Sequence, residues 1–198
     1  MRFARSWYDD RSDLYLGEKQ WDSLREAFSD HGAFSQCLHV TVVGSKPLLL
    51  ATEEIREKAA LKPQDLKGHM IHESPDEVVQ LLKYIRKWKA RSEAREVTIL
   101  GGDIHVGGHT DVFHTNQPLC KQLTASPISN FPLDRVSFLV EQAGEEIVQF
   151  VDDHYSFEHH HWTAERNYGL LSIFINSLSE VRVRASLVMA NNTGLQHG

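Results

Sequence analysis

Apolar residues recur along this chain in two rhythms, and the points where the rhythm changes mark its elements. From Glu18 to Phe28, Trp21, Leu24 and Phe28 stand three and four apart with charges between them and Gly32 beyond, which predicts a short amphipathic helix with one buried stripe. Cys37 to Val43 (CLHVTVV) is a β-branched run closed by the turn residues Gly44-Ser45-Lys46-Pro47, and predicts a buried strand. Thr52 to Leu61 fits a helical turn or two, with Glu53 and Glu54 at its positive end, and Lys62 to Ile71 reads as loop. Ser74-Pro75-Asp76-Glu77 is the sharpest local signal, a capping box with Ser at the N-cap, Pro at N1 and Glu at N3. The helix that it opens carries Val78, Leu81, Leu82, Ile85 and Trp88 on one stripe, with Lys83, Lys87, Lys89 and Arg91 towards the end that the dipole makes negative. Glu96 to Leu100 (EVTIL) is then a strand, broken by Gly101-Gly102. Cys37 to Leu100 is therefore a β-α-β unit, whose two strands are expected to run parallel in one sheet.

Beyond residue 115 the pattern changes to strands without long helices: Leu119 to Thr124, Val136 to Gln142, Glu146 to Val151, Tyr168 to Ile175 and Val181 to Met189, with turns at Gly144 and Asn176-Ser177. In the last of these Val181, Val183, Ala185, Leu187 and Met189 alternate with Arg182, Arg184 and Ser186, so one face is buried and the other wet. The expected fold class is α/β, a β-α-β unit followed by a mostly antiparallel, strand-rich C-terminal half. Residues 1–190 read as one domain and 191–198 as a frayed tail.

Composition narrows the function classes. At 198 residues the chain can bury a core without staples, and no apolar run approaches the roughly 18 to 20 residues that span a bilayer, so no membrane span is expected. The net charge of −6, with no Lys and Arg stripe, argues against a nucleic-acid-binding patch. Cys37 and Cys120 both fall in expected strands and read as small buried hydrophobes, as in a reducing compartment. Met1-Arg2-Phe3-Ala4-Arg5 is followed by acidic residues in place of an apolar h-region, so no secretory signal is read and a cytoplasmic location is expected. Twelve histidines are many, and histidine is the commonest nitrogen ligand for metals.

The chemistry concentrates after the EVTIL strand. Catalytic residues of α/β proteins gather beyond the C-terminal ends of parallel strands, and Asp103 and His105 fall there, in Gly101-Gly102-Asp103-Ile104-His105-Val106-Gly107-Gly108-His109. In an extended segment, residues two apart point the same way, so this carboxylate and imidazole are expected to approach one ion or two adjacent ones. The glycines let the chain turn sharply and bring backbone near a phosphate. A carboxylate with an imidazole suits Zn, Fe or Mn.

VTILGGDIHVGG, from Val97 to Gly108, resembles the last metal-binding motif of the PhoD-like phosphatases, a branch of the calcineurin-like metallophosphoesterases. Other segments agree in order. Asp10-Arg11-Ser12 and Leu16 to Leu24 (LGEKQWDSL) are similar to that family's aspartate-arginine pair and LGxxQWxxL helix. His39 to Pro47 (HVTVVGSKP) is similar to its next strand and proline turn, and Leu123 to Asn130 (LTASPISN) to the segment after the metal loop. The resemblance covers about residues 9–176. It implies part of a four-layer αββα sandwich and a two-metal phosphoesterase, using divalent or trivalent ions such as Fe, Zn, Mn or Ca on a phosphoester substrate. Asp103 and His105 would be metal ligands, and His109 a candidate for contacting substrate or outer groups. Asp65 and His69 lie where the family has an acidic, His-containing segment, with Gly68 and Met70 replacing the usual neighbours.

The family's earlier metal motifs precede the LGxxQW helix, and the chain contains no G-N-H triplet and no second G-D loop. It therefore reads as the C-terminal half of such a domain, which would leave core exposed for self-association or a partner. The second reading is a non-catalytic interaction or binding module derived from the same fold. Three further clusters read as bystanders: Asp152-Asp153-His154 as a hairpin edge, His159-His160-His161 as an adventitious Zn or Ni binder in which His159 and His161 share a face, and Arg166-Asn167 as a turn that opens a strand.

Overall fold

The computed structural model describes residues 15–58, 61–62, 66, 68–125, 147–177, 180–191 and 194–197. Along them run α1 (Glu18–Ala27), β1 (His39–Val43), α2 (Glu53–Lys58), α3 (Met70–Glu73), α4 (Pro75–Lys89), β2 (Glu96–Gly101), β3 (Gly107–His114) and β4 (Gln117–Thr124). They are followed by β5 (Gln149–Phe150), β6 (Tyr155–Thr163), β7 (Asn167–Ile175), β8 (Val181–Asn191) and β9 (Gly194–His197). The architecture is mixed α/β, with a six-stranded sheet in the order β1-β2-β4-β3-β6-β5 and a three-stranded antiparallel sheet β7-β8-β9. As the β-α-β pattern requires, β1 and β2 are parallel, and β2 is also parallel to β4. β3 is antiparallel to both β4 and β6. The expected strand at Val136 to Gln142, the turn at Gly144, Asp65 and the Asp10-Arg11-Ser12 segment all lie outside the described residues.

Period two along the strands decides which face of the large sheet is dry. Val40, Val42, Val97, Ile99, Val112, Cys120 and Phe157 point to one side, where they pack with Leu24 and Phe28 of the α1 segment and with Val78, Leu81, Leu82, Ile85 and Trp88 of α4. The stripe read from the α4 sequence is thus the stripe that is buried, and Trp88 donates its indole N–H to the Phe34 carbonyl at 2.9 Å. The opposite face carries His39, Thr98, Lys121, His109, Asp111 and His160, by the same alternation and register. The small sheet approaches that second face at one end, where a Cβ on Gly169 would lie 3.0 Å from Leu123 Cδ2. Further along it is open, leaving Ile173 and Ile175 61% and 72% exposed.

The capping box does not form as the sequence suggests. Ser74 is the N-cap of α4 but makes no side-chain cap bond. Its own N–H is already given to the Met70 carbonyl, because α3 ends there, where the sequence reads only loop. Glu77 is freed by this and turns inward, accepting from the Tyr15 and Leu16 backbone N–H groups and the Trp21 indole.

Three strands escape the periodicity argument, β3, β6 and β9. β3 and β4 are joined through Thr115 and Asn116, both at positive φ (49° and 62°), a two-residue hairpin without glycine. Thr115 is β-branched and pays for the left-handed conformation, so Thr115→Asn should stabilise the fold by about 1 kcal/mol, read as a higher urea midpoint with unchanged slope. The sequence also treats 191–198 as a frayed tail, whereas Gly194–His197 forms β9, paired antiparallel with the end of β8. Cys37 precedes β1, in a turn where its N–H bonds Phe34, and both cysteines are free thiols. Among the described residues no helix is long and apolar enough to cross a membrane.

Candidate functional site

β2 ends at Gly101, where β1, β2 and β4 present their C-terminal ends together. A Cβ on Gly101 would lie 2.6 Å from Pro47 Cα, so only glycine lets the end of β2 press against the turn after β1. The chain then bends through Asp103 at φ 69° and His105 at φ 58° before Val106 is buried. Gly108 lies against the Trp162 ring, 2.4 Å from where a Cβ would stand. These two glycines are explained by packing within the chain.

Two non-glycine residues in left-handed conformation, separated by one position, cost about 1 to 2 kcal/mol each and mark a loop held in place by its surroundings. The sequence argument treats Asp103 to His105 as extended. It is not extended, so strand alternation does not set the relation of the two side chains. Asp103 is 62% exposed and its carboxylate lies 3.7 Å from Lys46 Nζ, on the turn after β1. His105 is partly buried.

Lys46 reaches into the same crevice as the loop after α2. A Cβ on Gly68 would lie 3.3 Å from its ammonium, and Tyr15 donates its hydroxyl to the Gly68 carbonyl at 2.7 Å. His69, the N-cap of α3, is buried, and its Nδ1 has no hydrogen-bond partner among the described residues. Burial, reinforced by the charges of Lys46 and His72, pushes its pKa down to about 3. His72 is likewise held below the usual imidazole range, first by burial, and its Nε2 is also buried without a partner. Sequence reasoning overlooked His72, which carries no motif signal.

His109 lies elsewhere, on the face of the large sheet opposite α1 and α4. It lines a cleft of about 1260 Å³ between the two sheets, together with Asp111, Lys121, His160 and His161. Burial, then the neighbouring His161 and Lys121, hold His109 below the ordinary imidazole range. In the histidine run, His159 points the other way into the core, with Nδ1 2.9 Å from Thr110 Oγ1 and Nε2 2.6 Å from the Leu50 carbonyl. A bulge in β6 alters the alternation after it, and the pair that shares a side is His160 and His161. Asp152 caps the β5–β6 turn by accepting from the His154 and Tyr155 N–H groups. Asn167 opens β7, packed on Gly107, with its amide donating to the Glu165 carbonyl.

Among the described residues, no three His, Cys, Asp or Glu side chains converge as a metal-binding group as they stand. No known family profile matches the chain, and no curated protein does. Among solved structures it is similar to one described as "Structure of PhoD", at a TM-score of 0.42 and 11% identity, covering 92% of this chain. The chain spans about a third (35%) of the length of the protein that it matches.

Proposed function

We propose that the chain belongs to a metal-dependent phosphoester hydrolase, a distant relative of the PhoD-like phosphatases with part of their four-layer sandwich, in which Asp103 and His105 contribute metal ligands. The observation that carries the reading is the GGDIH loop itself. It follows a parallel strand at the end of the sheet where α/β proteins gather their chemistry, and it holds both residues in strained left-handed backbone. A carboxylate and an imidazole on one loop suit Fe, Zn or Mn, and such ions would polarise a phosphoryl oxygen and lower the pKa of a bound water. These two donors are of the right kind but do not by themselves make a complete site among the described residues. Lys46, beside Asp103, supplies a point charge for a phosphate oxygen, and the buried His69 and His72 keep that side of the crevice free of further positive charge near neutral pH.

Purified protein reconstituted with Mn, Fe, Zn or Ca should hydrolyse p-nitrophenyl phosphate or its bis-ester. Asp103→Asn and His105→Ala should each cut that rate by about a hundredfold or more. Turnover that survives both substitutions and a chelator would overturn metal dependence through Asp103 and His105. The second reading is a non-catalytic binding module with the same fold. Correctly folded protein that gives no turnover with any of these metals would support it.

A further inference from the structure

We infer that His109, Asp111 and His160, with His161 beside them, form a second metal site, on the face of the large sheet opposite α1 and α4, for a borderline divalent ion such as Zn2+, Co2+ or Ni2+. The inference is independent of the hydrolase reading, because none of these residues belongs to the GGDIH loop or to the Lys46 crevice.

Strand register assembles the set. His109 and Asp111 are two apart on β3 and so share a face. His160 of β6 is the residue directly opposite His109. Directly opposed residues place their Cβ atoms about 4.5–5.5 Å apart, and diagonal neighbours lie only about 7–8 Å apart, so three ligand arms start from a small fixed triangle. Next to it the register slips: Gly107 faces Thr163 while His109 faces His160, so two steps on β3 match three on β6. His161 absorbs the extra residue at φ 53°, and it lines the same cleft as His160, a position that simple alternation would deny it.

In the present arrangement Asp111 bridges two basic groups. Asp111 Oδ2 is 3.4 Å from His160 Nε2, and Asp111 Oδ1 is 3.6 Å from Lys121 Nζ, so an imidazole and an ammonium share one carboxylate. Among the described residues no three donors converge in this arrangement. The His160 and Asp111 side chains are about one-third exposed, at 32% and 36%, and can swing over the triangle while the strands stay fixed. Two imidazoles and one carboxylate, with a third imidazole in reach, favour Zn, Co or Ni over Ca or Mg, and the open cleft leaves room for water or a ligand on the ion. Lys121 opposes the ion, since its charge holds Asp111 in the alternative pair.

The test is titration of the full chain, stripped with a chelator, with Zn2+ by calorimetry and with Co2+ by visible absorption. The Asp103→Asn/His105→Ala double variant should still bind one ion and give a tetrahedral or five-coordinate Co2+ spectrum with imidazole ligation. In that background His160→Ala or Asp111→Asn should weaken binding by about a hundredfold, and Lys121→Met, which removes only the competing ammonium, should tighten it by about tenfold. Circular dichroism would confirm that each variant is folded. Loss of all binding in the double variant, unchanged affinity in folded His160→Ala, or weaker binding in Lys121→Met would each overturn the site. Failure of the phosphatase assay would leave these readouts untouched.

Discussion

Lowering the pH from about 7 to about 4 is expected to remove about 6 kcal/mol of folding stability, roughly 3 kcal/mol through each of His69 and His159. Both imidazoles are buried, and burial pushes their pKa values from 6.5 down to about 3 and about 4. For His159 the hydrogen bonds give the reason. The Leu50 carbonyl can only accept, so Nε2 must carry the proton, and Nδ1 is left to accept from the Thr110 hydroxyl. The neutral ring is satisfied on both sides, and a second proton has no place except against that hydroxyl. For His69, Lys46 and His72 add their charges to the burial. In the unfolded chain both rings take protons near 6.5, while the folded rings resist until about 3 and 4, so the unfolded state gains protons first as pH falls. Stability is therefore full above about pH 6.5 and drains as pH descends towards the folded values. Since a domain of this kind is held by roughly 5–15 kcal/mol, much of it is lost. Urea midpoints across this pH range measure the slope, and His159→Gln should remove about half of it at some cost in stability at neutral pH. A flat profile between about pH 6.5 and pH 4 would show that these rings are not held neutral.

The same two histidines show where sequence reasoning reaches and where it stops. The β1-α4-β2 unit is legible because a dry stripe at period 3.6 and β-branched runs at period two are direct consequences of burial, and Val78, Leu81, Leu82, Ile85 and Trp88 are buried as that pattern requires. The break after β2 is legible for a similar reason, since two glycines interrupt an apolar strand. The sequence reading has those glycines bring backbone near a phosphate, whereas Gly101 presses against Pro47 of the chain itself. What failed was the inference from spacing to side-chain direction. Strand alternation puts Asp103 and His105 on a common face, and the chain leaves the extended region at both. The same rule puts His159 and His161 on a common face, and a bulge cancels it. Period-two arguments hold only while the register does, and neither a left-handed residue nor a bulge has a signature when no glycine marks it.

β3 was missed for a related reason. Its sequence, GGHTDVFH, puts His109 and Asp111 on one face and Thr110 and Val112 on the other. Thr110 is fully buried but polar, tied to His159 and to Gln122, whose amide also spans the Leu49 backbone N–H and carbonyl. A core stitched by a Thr-His-Gln network carries little hydrophobic contrast, so the strand reads as loop although its interior is dry. The polar face of the same strand is what lines the cleft, which is why the candidate second metal site and the missed strand coincide.

Glu77→Ala is expected to cost about 4 kcal/mol, among the largest effects of any single side chain in the fold. The carboxylate is only 7% exposed and takes three donors, the backbone N–H groups of Tyr15 and Leu16 and the Trp21 indole. Two of these donors lie at the N-terminal approach to α1, so one residue of α4 organises the entry of a helix some sixty positions earlier in the chain (62 and 61 residues for Tyr15 and Leu16). Truncation leaves several buried donors without a partner, each costing about 1–3 kcal/mol, and opens a small void besides. Glu77→Gln keeps one oxygen but turns an amide N–H towards a donor, so about 2 kcal/mol is expected. Ser74→Ala, by contrast, should change stability by less than about 0.5 kcal/mol, because its hydroxyl makes no cap bond. Chemical denaturation followed by tryptophan fluorescence distinguishes these cases, Trp21 itself reporting on the released helix. If Ser74→Ala proved as damaging as Glu77→Ala, the capping box read from the sequence would be the true arrangement, and the inward turn of Glu77 would be wrong.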